Sequence, residues 1–248
     1  MTVFAIDIIS DIPCVWCYVG KKRLEQAITL YQKTYPGGKN DTFAINWRPY
    51  YLNYNTGASV EKRELTKVKL ANMSTEEQEK LKARMHRIGA SVGIDFKWGG
   101  KIGHTSEAHR LIHLCQSTKS SELQNSLVEK IFEAYHEREE DIADRGTLRD
   151  IAVRAGLDKQ EVIEWLGSGL AAQEVDAEAE RNRKVVSKGV PYFIVNGTNV
   201  VDGAQDSSDF LEIFVQIKES KGEEKGDLVT GSCQNEEDQC ADRICFRD

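Results

Sequence analysis

Apolar positions along the chain fall in continuous runs, in alternation or at helical spacing, and the changes between these patterns mark its organisation. Val3 to Ile9 is a short β-branched run and reads as a buried strand. Helical spacing follows, with Cys17, Leu24, Ala27, Ile28 and Tyr31 on one face. That helix should open near Pro13-Cys14 and stop before Pro36-Gly37-Gly38. Phe43, Ile45 and Trp47 then alternate with Ala44, Asn46 and Arg48, which predicts a second strand. Strand, helix and strand in this order form a βαβ unit with an expected right-handed crossover.

From about Asn53 the period becomes helical for more than a hundred residues. Ser74-Thr75-Glu76-Glu77 is a capping box opening a helix striped by Leu81, Met85, Ile88 and Val92. Ala108, Leu111 and Cys115 mark another helix, and Leu123, Leu127, Ile131 and Tyr135 a third. Thr147 and Asp158 read as caps of two short helices, Gly156 and Gly167 as their stops. A polar-faced helix over Ala171 to Lys188 ends at Gly189. Strand character returns at Val190-Pro191-Tyr192-Phe193-Ile194-Val195. Asn196-Gly197 is a hairpin turn before Val200-Val201, and a last amphipathic helix carries Phe210, Leu211, Phe214 and Ile217. The fold expected is α/β: a small sheet domain (1–55 and 186–222) interrupted by an all-helical insertion (56–185). Residues 223–248 are acidic and offer little to bury, so they read as a mobile tail that carries Cys233, Cys240 and Cys245.

Composition narrows the function. Apolar residues make up 40% of 248, enough for a sizeable core. The formal net charge of −7, with no basic tract, argues against a nucleic-acid partner. No apolar run approaches the ~20 residues of a membrane helix. The N-terminus lacks a secretory leader, so a cytoplasmic location is expected. In that setting paired cysteines are more often catalytic or metal-binding than structural.

Cys14-Val15-Trp16-Cys17 carries the chemistry. It lies just after a strand and at the start of a helix, where two intervening residues let both sulfurs meet within one turn. Cys14 should be the exposed sulfur and Cys17 the inner one. First-turn amides and the helix macrodipole would stabilise a thiolate at Cys14. A zinc site would need further ligands at suitable spacing, and none stands near, so no metal is expected. Gly189-Val190-Pro191 is the second part of the constellation. A cis peptide at Val190-Pro191 would present the Val190 N–H and C=O beside Cys14, where an extended substrate could pair with them. Trp16 would offer an apolar contact to substrate. The Cys240–Cys245 pair, spaced by four residues, is an auxiliary redox candidate that the tail could deliver to Cys14. Cys115 reads as an inert core thiol, His104, His109 and His113 as capping or surface groups, and Glu137 to Asp141 as a solvated helix end.

Taken together, four stretches resemble the thioredoxin superfamily, specifically the DsbA-like oxidoreductases of the FrnE-like branch. These are relatives of 2-hydroxychromene-2-carboxylate isomerases and kappa-class glutathione transferases. The stretches are Asp11 to Lys21, Ala108-His109-Arg110-Leu111, Ile131 to Tyr135, and Gly189 to Phe193 with Gly203-Ala204-Gln205. The resemblance spans Val3 to about Glu219. It implies a thioredoxin fold, Cys14 as nucleophile, Cys17 as resolving thiol and Pro191 as a cis-proline. Val15 stands where the branch usually has proline, which should shift the redox poise. The isomerase and transferase relatives usually carry a hydroxyl in place of the nucleophilic cysteine. The paired thiols therefore favour thiol–disulfide chemistry: protein disulfide oxidation, reduction or isomerisation. The expected partners are protein or small-molecule thiols and disulfides, with no bound cofactor and glutathione as a redox partner. The alternatives are a glutathione-dependent transferase or isomerase of a small aromatic or polyketide-like molecule, and a non-catalytic redox sensor.

Overall fold

The computed structural model describes residues 1–52 and 58–227, with side chains as far as 220. The elements run β1 (Val3–Ser10), α1 (Val15–Thr34), β2 (Thr42–Pro49), β3 (Val60–Glu61), α2 (Lys62–Lys69), α3 (Thr75–Ser91), β4 (Lys101–Ile102), α4 (Ser106–Thr118), α5 (Ser121–His136), α6 (Arg145–Ala155), α7 (Lys159–Ser168), α8 (Ala172–Val185), β5 (Tyr192–Val195), β6 (Asn199–Asp202) and α9 (Ser207–Asp227).

The principal sheet has the order β2-β1-β5-β6. β1 pairs parallel with β2, in the register Phe4↔Phe43, Ile6↔Ile45 and Ile8↔Trp47. It pairs antiparallel with β5, with Ile8 opposite Phe193. The βαβ unit and the terminal hairpin therefore meet along β1. Phe4, Ile6 and Ile8 point into the core, as the period-two pattern requires. Behind the sheet, Phe4 stacks on Phe43 at 4.8 Å and meets Tyr31 of α1 and Phe214 of α9 at 5.5 and 5.2 Å. This aromatic layer joins α1 and α9 to one face. It also buries Asp41, whose carboxylate accepts hydrogen bonds from the Tyr31 hydroxyl (2.9 Å), the Lys218 ammonium (2.7 Å) and the Thr2 amide.

α1 opens where Pro13 gives way to Cys14, its N-cap, and ends at Tyr35, whose extended backbone (φ −79°, ψ 133°) suits a residue before proline. Among the described residues between β2 and β5, the regular structure is helical apart from one short ribbon, in which Val60 pairs with Ile102 and Glu61 with Lys101. Ser74 and Glu77 form the expected capping box. Several boundaries differ from the sequence reading. α6 is capped by Asp144 rather than Thr147. The Asp144 carboxylate accepts the Thr147 amide at 2.7 Å, so the threonine is the donor in the first turn and not the cap. α7 runs through Gly167 and stops at Gly169, which adopts the left-handed conformation (φ +68°) that favours glycine. α8 ends at Val185, short of Lys188. The segment 223–227, expected to begin a tail, continues α9. Extending an existing helix costs far less than nucleating one.

Candidate functional site

The two motif cysteines occupy different positions relative to α1. Cys14 is the N-cap, with extended backbone (φ −78°, ψ 109°), and its carbonyl accepts the Cys17 amide at 3.0 Å. It is partly exposed, whereas Cys17 lies inside the first turn and is buried. Both are free thiols. The Cys14 thiol is held below the ordinary cysteine range. The chief cause is a hydrogen bond from the Cys17 thiol. The amides of Cys17 and Trp16 add to it, and burial and the charge of Asp11 oppose it. Cys14 caps the helix through its backbone, without a side-chain capping bond, and its sulfur sits beside the first-turn thiol and amides that favour the thiolate. Cys17 moves the opposite way. Burial pushes its thiol well above the usual range, and its hydrogen bond to Cys14 adds to that. One sulfur of the pair is ionised readily and the other is kept protonated.

Val190 and Pro191 sit against this pair although 176 positions separate Val190 from Cys14. The Cys14 thiol lies 3.3 Å from the Val190 carbonyl oxygen, to which it donates. The Val190–Pro191 peptide is cis. Gly20, two turns into α1, permits the approach. A Cβ at that position would stand 3.0 Å from Phe193 Cζ and 3.1 Å from Pro191 Cγ. Beside the loop is an open groove of about 480 Å³ lined by Trp16, by Lys188 to Pro191 and by residues 202–205. Trp16 is 37% exposed there. The far side of the groove is fixed by Arg23 of α1, which donates to the Ala204 carbonyl at 2.6 Å. All of these lining residues belong to the sheet portion or its immediate junction; none comes from α2 to α8.

Sequence reasoning missed the groups beneath the motif. Asp11 is 1% exposed. Its Oδ1 accepts the Ile12 amide (2.9 Å) and the Thr105 hydroxyl (2.8 Å) and lies 3.2 Å from His109 Nε2; its Oδ2 accepts the Leu52 amide (2.8 Å). His136 Nε2 stands 2.7 Å from the Ile12 carbonyl. Burial lowers the His136 imidazole to about 3, so its neutral ring donates there. His109 is therefore a buried partner of the motif loop, not a surface group. Its spacing gave no signal, since it stands about 100° round the helix from Ala108; it is buried because α4 is enclosed on nearly all sides. His104 does act near a cap, its Nδ1 accepting the Ser106 amide at 3.2 Å. The acidic run after α5 is not simply solvated. Glu137 meets the Tyr18 hydroxyl at 2.8 Å, Glu139 accepts the Gly99 amide, and Glu140 pairs with Arg154. Adjacent to the motif, Lys21 is buried and pairs with Glu25 and Glu129. Two lysines, Lys21 and Lys22, hold the Glu129 carboxyl down to about 2 against the opposing effect of burial. Cys115 is buried, and burial raises its thiol to about 11, which fits an inert core residue. Cys233, Cys240 and Cys245 lie outside the described residues. Among the described residues, no group of three His, Cys, Asp or Glu side chains could hold a metal ion. No helix among them is long and apolar enough to cross a membrane.

A parallel strand pair, an N-capping cysteine and a proline loop facing it define a DsbA-like thioredoxin domain. The chain belongs to the DSBA-like thioredoxin domain family, which it matches over residues 5–215. Among solved structures, it superposes on a probable DsbA oxidoreductase from Streptomyces coelicolor with a TM-score of 0.74 at 26% identity, over 86% of this chain and 89% of that one. The cytosolic disulfide reductase DsbM from Pseudomonas aeruginosa, solved with glutathione, shares the fold at 16% identity, with a TM-score of 0.56 over 86% of this chain and 98% of that one. A 2-hydroxychromene-2-carboxylate isomerase does so at 14%, with a TM-score of 0.58 over 90% and 98%. No curated protein sequence matches.

Proposed function

We propose that this protein is a thiol–disulfide oxidoreductase acting through Cys14 and Cys17. The observation that carries the reading is the division of labour in the pair. A partly exposed thiol at the N-cap, lowered chiefly by the Cys17 thiol, stands over a buried thiol raised by burial. In the reductive direction the Cys14 thiolate attacks a substrate disulfide. A Cys14–substrate disulfide forms, and the other substrate sulfur leaves as a thiolate. Cys17 then loses its proton, attacks the Cys14 sulfur and releases the second substrate thiolate. The pair ends oxidised and the substrate has gained two electrons; run backwards, the same steps oxidise a dithiol. A low-pKa thiolate is also a good leaving group, which serves the reverse direction.

Trp16, Val190 and Pro191 form the substrate-binding edge in this reading. The groove beside them is open and partly polar at Lys188, Asp202 and Gln205, which suits an extended chain better than a small aromatic molecule. Glutathione is the expected recycling thiol, in keeping with the glutathione found in the DsbM structure. The test is insulin reduction and refolding of scrambled ribonuclease by the full chain. Wild-type protein should turn over in at least one assay, and Cys14→Ser in neither. Undiminished turnover by Cys14→Ser refutes the assignment. A wild type inert in both, yet active on a small electrophile with glutathione, replaces it with the transferase or isomerase reading.

A further inference from the structure

The loop that delivers Cys14 is held by side chains of the insertion. The Asp11 carbonyl accepts the Cys14 amide at 3.2 Å, so the backbone of Asp11 places the nucleophile's N-cap conformation. The Asp11 side chain in turn collects four donors from three segments. They are its neighbour Ile12, Leu52 after β2, and Thr105 and His109 at the start of α4. A fifth bond, from His136 of α5 to the Ile12 carbonyl, secures the next residue. Three of these five donors belong to the insertion. A buried carboxylate is a costly thing to place beside a site that must carry a thiolate, because the two charges repel. Its retention at a fully buried position, satisfied from all sides, calls for a role.

We propose that Asp11 is a positioning residue for Cys14, and that the insertion governs the nucleophile's reactivity through the His109 and Thr105 hydrogen bonds to this carboxylate. The inference rests on the oxidoreductase reading of the same site. Donors draw the carboxylate's charge toward α4 and away from Cys14; removing them leaves that charge directed at the thiolate. Asp11 already acts against ionisation of Cys14. Tyr135 of α5 feels the same charge, with the Lys62 ammonium over its ring at 3.4 Å, and on the other side the Tyr51 ring lies 5.7 Å from that of His109 and 4.7 Å from that of His104.

The sign of two substitutions separates this role from a merely structural one. Asp11→Asn removes the charge and keeps the shape, so Cys14 should ionise more readily. Its alkylation by iodoacetamide, located by peptide mass mapping, should rise about three-fold below the midpoint of the profile, equivalent to about half a pKa unit. The pair should also become more oxidising against glutathione. His109→Phe strips a donor and should move both readouts in the opposite direction. His109→Gln, whose amide nitrogen can stand where Nε2 stood, should restore them toward wild type. If Asp11→Asn and His109→Phe shift in the same direction, or neither shifts, the proposal is overturned. Should Asp11→Asn fail to fold by circular dichroism, the contrast between His109→Phe and His109→Gln decides it. Alkylation needs no turnover, so it tests Asp11 even if the wild-type pair proves inert toward glutathione. Inertness toward insulin and scrambled ribonuclease would sink the oxidoreductase reading alone.

Discussion

Gly20 should be the most informative single position outside the cysteines. In the interior of a helix, glycine to alanine normally stabilises by about 0.5–1 kcal/mol, because the unfolded chain loses freedom and the helix gains propensity. Here the added methyl would stand 3.0 Å from Phe193 Cζ and 3.1 Å from Pro191 Cγ, several tenths of an ångström inside comfortable contact. Phe193 is fully buried and wedged edge-on against Phe210 at 4.9 Å, so it has nowhere to retreat. Overpacking of this kind costs about 1–3 kcal/mol. The net expectation for Gly20→Ala is a loss of about 1 kcal/mol, with displacement of the 189–191 loop from Cys14. Gly167 provides the control. It lies within α7, and a methyl there meets nothing within 4 Å. Gly167→Ala should stabilise by about 0.5 kcal/mol. Urea titrations followed by far-ultraviolet circular dichroism would give both values, and disulfide turnover should fall for Gly20→Ala only. If the two variants stabilise alike, the close approach of helix and loop is not what places Val190 over Cys14.

Three further outcomes are expected. The folded protein keeps His136 neutral to about 3, while the unfolded chain protonates it near 6.5. Its contribution is therefore intact above about 6.5 and falls as pH drops toward 3, by up to about 1.4 kcal/mol per unit. The slope should flatten in His136→Gln thermal melts, and an unchanged slope would refute the assignment. Glu129, lowered to about 2, contributes stability that is present above the usual carboxyl range near 4.3 and lost as pH falls toward 2. Glu129→Gln should remove that acid limb and cost on the order of 2 kcal/mol at neutral pH by leaving Lys21 short of a partner. Equal denaturation midpoints at pH 7 would contradict this. Trp16→Ala should raise KM for an extended protein substrate with little change in the Cys14 alkylation profile. A shift of that profile instead would mean that Trp16 acts on the thiol rather than on the groove.

The parts legible in the sequence were those encoded locally. Period-two and period-3.6 stripes placed β1, α1, β2 and α5, because each element buries one face of its own residues. The cysteine spacing exposed the pair for the same reason: both residues lie in one helical turn. Asp11, Thr105, His109 and His136 were not legible as a group. They come from a loop and two helices far apart in sequence, and a buried polar residue has no period of its own. Gly20 was opaque too, since what it accommodates, Pro191 and Phe193, belongs to the other end of the chain. The cap errors have a local cause: Thr147 and Asp144 both suit an N-cap by residue type, and only the direction of the hydrogen bond between them chooses. The ribbon of Val60-Glu61 with Lys101-Ile102 is too short to leave an alternation.

The 176 positions between Cys14 and the carbonyl it faces set an order of events during synthesis. At about 5–20 residues per second, the ribosome needs roughly ten to thirty-five seconds to travel from one to the other. Until then β1 has a neighbour on one flank only, and the nascent first turn of α1 has no roof. Cys115 is translated within that interval, so the young polypeptide exposes three thiols before the strand that should shelter the first has been made. A chaperone or a reducing environment that guards nascent cysteines would thus matter more for the yield of this protein than for its finished stability.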